Sequence, residues 1–139
     1  MSETLPAPLV LVADDDPDIL DLVRYRLERS GYEVATATDG VEAVRLAGEL
    51  TPALAVLDVM MPSLDGLEAT RRLRNDPATA EIPVILLTAK AQDADVQEGF
   101  LAGADDYIRK PFSLAVGKTI LDRNILAIDV AKFLQLSLE

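Results

Sequence analysis

Short apolar runs alternating with amphipathic stretches predict an α/β domain with a doubly wound, five-stranded parallel sheet. Two further observations support this class. The runs are rich in Val, Ile and Leu with few polar interruptions, as strands covered by helices on both faces require. The chain has 139 residues and is 50% hydrophobic, enough to bury one sizeable core and too apolar for disorder.

In order, "LVLVA" (9–13) reads as a buried first strand. A helix follows from about Pro17, whose ring suits the first helical position, to Ser30, with Gly31 as its stop signal. "YEVATA" (32–37) is a weaker second strand, and "DGVEAVRLAGEL" (39–50) is a helix opened by Asp39 as cap. "ALAVL" (53–57) is the third strand and "DGLEATRRLRND" (65–76) the third helix. "PVILLTA" (83–89) is the fourth strand, followed by a helix over about 91–102 that ends at Gly103. "DYIRK" (106–110) supplies a short fifth strand.

Composition removes several classes of function. Cysteine is absent, so neither disulfides nor thiolates are available. Histidine is absent too, which leaves carboxylates, hydroxyls, lysine and backbone for any chemistry. The net charge of −11 argues against direct contact with nucleic acid and suits a basic partner or a cation. No apolar run approaches the roughly 20 residues of a membrane span. "MSETLPAPLVLV" lacks the basic flank and cleavage site of a signal peptide, and the absence of cysteine fits an expected cytoplasmic location.

In open parallel sheets, ligands bind outside the carboxyl ends of the strands, where the winding direction switches. The polar residues of interest fall there. Asp14, Asp15 and Asp16 follow the first strand, Asp58 follows the third, Thr88 ends the fourth and Lys110 follows the fifth. Each has a plain structural alternative: a helix cap for the aspartates, with Asp16 the best candidate, a turn at Asp58, and a strand exit at Thr88 or Lys110-Pro111. Together they assemble a carboxylate nucleophile, an all-oxygen site for a hard cation such as Mg²⁺ or Mn²⁺, a hydroxyl and an ammonium. Phosphoryl transfer needs those parts, because its catalysis is mostly positioning and charge neutralisation.

"LVLVADDDPDI", "LAVLDVMMPSLDGLE", "PVILLTAKA" and "AGADDYIRKPF", in this order, resemble the receiver domain of bacterial two-component response regulators over about residues 8–113. The resemblance implies a flavodoxin-like receiver fold for residues 1–113. It implies that Asp58 accepts a phosphoryl group from a sensor histidine kinase or phosphotransfer protein. Mg²⁺ would then be held by Asp15 directly, by Asp14 mainly through water, by Asp58 and by the backbone carbonyl of Met60. Thr88 matches the hydroxyl that moves toward the phosphoryl group, Lys110 the lysine that pairs with it, and Tyr107 the aromatic switch residue; a cis peptide is implied before Pro111. Such a domain catalyses only its own phosphorylation and slow dephosphorylation.

Two alternatives share parts of this pattern. A Mg²⁺-dependent phosphatase of the aspartyl-phosphate type carries a D-x-D pair after one strand, whereas Val59 and Met60 follow Asp58 here. A degenerate receiver that only docks would lack motif positions that this sequence fills. The resemblance fails over residues 114–139, where Leu114, Val116, Ile120, Leu121, Ile125 and Phe133 are among apolar residues placed all round a helical wheel. A helix apolar on every side expects burial on every side, so this atypical segment is expected to replace or extend the fifth helix and to pair with a second copy as a homodimer.

Overall fold

The computed structural model describes residues 7–88 and 93–109, with the backbone alone at 88, 93–96 and 107–109. Nine elements alternate along them: β1 (Leu9–Ala13), α1 (Pro17–Arg29), β2 (Glu33–Ala37), α2 (Gly40–Leu50), β3 (Leu54–Asp58), α3 (Gly66–Asn75), β4 (Val84–Thr88), α4 (Asp93–Ala102) and β5 (Asp106–Arg109). The strands form one parallel sheet in the order β2-β1-β3-β4-β5. The winding direction therefore switches between β1 and β3, as a doubly wound sheet requires.

Alternation along each strand divides the core in two. Leu11, Ala13, Ala55, Leu57, Val84 and Leu86 pack on one face with Ala43 and Ala47 of α2 and Ala69 and Leu73 of α3. Val10, Val12, Leu54, Val56, Ile85 and Leu87 pack on the other with Ile19, Leu20, Val23 and Leu27 of α1. Burial on both faces explains why these strands read as unbroken apolar runs. Each fully buried Leu, Ile or Val contributes about 1.5–3 kcal/mol relative to exposure.

The ends of the elements follow their local chemistry. Asp16, Asp39 and Asp65 cap α1, α2 and α3, each accepting a backbone N–H from the first turn. Pro17 opens α1, and Gly31, with φ 98°, takes the left-handed conformation just beyond its end. The second strand begins at Glu33, one residue later than the sequence pattern predicts, because the Tyr32 amide is used to close the helix on Leu27 O at 3.0 Å. Asp58 is the last residue of β3 itself and pairs with Leu87.

The amino-terminal edge of β4 and β5 is fastened by Arg74, near the end of α3. Its Nε donates to Gly103 O at 2.9 Å and one terminal nitrogen to Ala80 O at 3.2 Å and Ile82 O at 2.5 Å. The other terminal nitrogen lies 2.7 Å from Asp105 Oδ2, which also accepts from Val84 N at 2.9 Å. In return, Asp105 N donates to Val84 O at 2.9 Å. One side chain thus joins the α3–β4 connection to the α4–β5 turn.

Lys110, the cis peptide expected before Pro111, and the segment 114–139 lie outside the described residues. No helix among the described residues is long and apolar enough to cross a membrane.

Candidate functional site

Strand register explains how the acidic residues meet. Ala13 of β1 pairs with Leu57 of β3, so the next residue on each strand, Asp14 and Asp58, stands at the same level. Asp14 extends β1, since its amide donates to Ala37 O at 3.1 Å, and it is fully buried. Asp58 is 4% exposed. Asp15 lies at the mouth of the site, exposed to solvent.

The three aspartates after β1 have separate duties. Asp16 is the helix cap, its Oδ1 accepting from Asp18 N at 2.9 Å. Asp14 Oδ1 accepts from Asp16 N at 2.9 Å, which turns the chain from the strand into α1. One carboxylate oxygen each from Asp14, Asp15 and Asp58 lies within 4.8 Å of the others, a grouping that could hold a metal ion. For the buried pair Asp14 and Asp58, repulsion at such a distance is on the order of 3 kcal/mol at an effective dielectric constant near 20. An all-oxygen donor set in a chain without His or Cys suits a hard cation.

The segment from Val59 to Asp65 folds back beside Asp58. Gly66 N donates to Val59 O at 3.0 Å and Leu64 N to Pro62 O at 2.7 Å, while Ser63 adopts a left-handed φ of 67°. Met61 and Leu64 are buried anchors, whereas Met60 is 74% exposed. The Met60 amide reaches Asp58 Oδ1 at 3.3 Å, a long bond. A Cβ at Gly66 would overlap the Asp58 carbonyl oxygen and lie 3.0 Å from its carbon. Glycine there lets α3 start against the backbone of Asp58. In the sequence this glycine shows only as turn chemistry, "LDG"; its closeness to Asp58 depends on the fold.

Thr88 ends β4, and its backbone pairs with Arg109, so Lys110 follows directly on β5 outside the described residues. Tyr107 of β5 pairs with Leu86 of β4. Backbone placement therefore brings Thr88 to the edge that holds Asp14, Asp15 and Asp58; the side chains of Thr88 and Tyr107 lie outside what is described.

The sequence matches the model of the response regulator receiver domain over residues 10–122. It is 50% identical over 107 residues to the DNA-binding dual master transcriptional regulator RpaA of Synechocystis sp., covering 77% of this chain and 44% of that protein. It is 49% identical over 104 residues to the alkaline phosphatase synthesis transcriptional regulatory protein PhoP of Bacillus subtilis, covering 75% of this chain and 42% of the relative. The chain thus spans about half the length of the curated relatives it matches. Among solved structures, the receiver domain of the sensor histidine kinase PA1611 from Pseudomonas aeruginosa PAO1 superposes with a TM-score of 0.71 at 34% identity, covering 84% of this chain and 96% of that one. That structure has a magnesium ion coordinated in its active-site cleft. The chain belongs to the response regulator receiver domain family.

Proposed function

We propose that this receiver domain is a phosphorylation-controlled switch in which Asp58 accepts a phosphoryl group from the phosphohistidine of a sensor kinase or phosphotransfer protein. The observation that carries the reading is the meeting of the Asp14, Asp15 and Asp58 carboxylates within 4.8 Å at the carboxyl ends of two adjacent strands. An Asp58 oxygen attacks phosphorus, the P–N bond breaks, and the imidazole leaves with the bonding pair, giving an aspartyl phosphate. Asp15, Asp58 and the carbonyl of Met60 would hold Mg²⁺, with Asp14 acting mainly through water, and the magnesium-bearing cleft of the related PA1611 domain supports that ion. When bound, Mg²⁺ neutralises charge on the phosphoryl oxygens.

Thr88 and Lys110 then take the phosphoryl oxygens as hydroxyl donor and ammonium, and Tyr107 follows Thr88 in a shift between two packings of the α4–β5 face. Water later attacks the aspartyl phosphate, releasing phosphate and restoring the carboxylate; this hydrolysis is slow, so phosphoprotein accumulates and the chain acts as a switch, not as a phosphatase. Its acidity keeps the domain itself off nucleic acid, whatever the DNA-binding relatives do with their remaining length. The expected cytoplasmic location agrees with this partner class. Pairing of two copies through residues 114–139 is a further part of the proposal, and light scattering that finds only monomer would remove it.

Asp58→Asn tests the centre of the reading. The amide is nearly isosteric and not nucleophilic, so the variant should fold and take no label from a small acyl-phosphate donor with Mg²⁺. Stable labelling of that variant would refute the assignment. Release of phosphate over many turnovers by the parent chain would favour the phosphatase alternative.

A further inference from the structure

We propose that Gly40 is a positioning residue for the phosphoacceptor: the first turn of α2 backs Leu64 and so fixes the 59–65 segment beside Asp58. Because the role of Asp58 is itself proposed, this assignment rests on that reading. Gly40 is the buried first residue of α2, following the Asp39 cap, whose Oδ1 accepts from Glu42 N at 2.8 Å. Its backbone gives no reason for glycine, since the positive-φ glycines among the described residues are Gly31 and Gly103. Helix propensity favours alanine there. Space does not. A Cβ at position 40 would overlap the Leu64 carbonyl oxygen and lie 2.7 Å from its carbon and 2.8 Å from its Cβ.

Leu64 has little room to retreat. Its side chain is a member of the core cluster that includes Ala43, Leu57 and Met61. Its amide is held by Pro62 O at 2.7 Å, and the next residue, Asp65, caps α3 through Glu68 N at 2.8 Å. The Gly66 N to Val59 O bond of 3.0 Å closes the segment on itself. Displacement of Leu64 therefore passes to Val59 and Met60, whose amide makes the long 3.3 Å bond to Asp58 Oδ1. Gly48, further along the same helix, has nothing within 4 Å and serves as the matched control.

The experiment compares the full chain with Gly40→Ala and Gly48→Ala, each at a temperature where urea titration shows it folded. Initial labelling rates from a small acyl-phosphate donor are measured across Mg²⁺ concentrations. Gly40→Ala should slow labelling at saturating Mg²⁺ by about tenfold or more, as a reacting group misplaced by an ångström does; Gly48→Ala should label like the parent. Equal rates for the folded Gly40→Ala and the parent would overturn the proposal while leaving Asp58 as phosphoacceptor. A parent chain that takes no label would instead overturn the proposed function.

Should Gly40→Ala fail to fold, amide NMR of the parent decides. On Mg²⁺ titration the Gly40 and Leu64 amides should shift with the same midpoint as Val59 and Met60, while Gly48 stays still. A Gly40 amide that does not move would refute the coupling.

Discussion

At the amino-terminal edge of β4, Arg74 meets four oxygen acceptors at 2.5 to 3.2 Å, three backbone carbonyls and the carboxylate of Asp105. At the carboxyl-terminal edge of β1 and β3, three carboxylates converge within 4.8 Å, two of them buried. The one sheet thus carries a neutralised knot at one edge, on β4 and β5, and concentrated like charge at the other, on β1 and β3. The first arrangement lowers the energy of the folded chain by itself. The second gathers like charge that a cation would offset, and so marks the edge that suits a ligand.

Substitutions at the two edges should separate stability from chemistry. Removing the knot has the largest expected effect: Arg74→Ala should lower unfolding free energy by about 3 kcal/mol, because hydrogen bonds from a charged group are worth about 1.5–3 kcal/mol and several partners lose theirs at once. Urea titration measures the loss, and labelling of Asp58 in the folded fraction should stay unchanged. A comparable fall in labelling rate would mean that the edges are not independent.

Cation-linked stability comes next. Mg²⁺ at a hundred times its dissociation constant should stabilise the parent by about 2.7 kcal/mol. Asp15→Ala should lose most of that gain at the same Mg²⁺ concentration, since it removes an oxygen ligand at the mouth of the site. Equal Mg²⁺-induced shifts in the two proteins would show that the acidic group serves only the helix and the turn.

The smallest effect has the opposite sign. Without Mg²⁺, Asp58→Asn should raise stability by about 1 kcal/mol, because it relieves part of the repulsion with Asp14. A destabilised Asp58→Asn in metal-free buffer would show that the cluster is not strained by its own charge.

The two edges also differ in how far they can be read in the sequence. The acidic edge is legible because its residues stand at the ends of apolar runs, and a parallel sheet brings those ends together. Asp16 could be separated from Asp14 and Asp15 by its place before Pro17. Arg74 could not be singled out. Arg71 and Arg72 stand beside it in "RRLRN" and make only exposed pairs with Glu68, whereas the partners of Arg74 include Gly103 and Asp105, 29 and 31 positions away. Gly40 and Gly66 were hidden for the same reason: each is a glycine because of backbone supplied by another segment. The amphipathic patterns gave helix and strand positions to within a residue or two, but tertiary approach leaves no periodic trace.

The register that sets Asp14 level with Asp58 also fixes when the site can exist during synthesis. β1 and β3 are neighbours in the sheet, yet α1, β2 and α2 lie between them in the chain. A nascent chain that has emerged only through α2 presents Asp14 and Asp15 without their third partner. Non-local pairing of this kind forms late and slowly compared with helices. Metal affinity should therefore appear in refolding only as the centre of the sheet closes, making a cation-binding signal a clock for that one event.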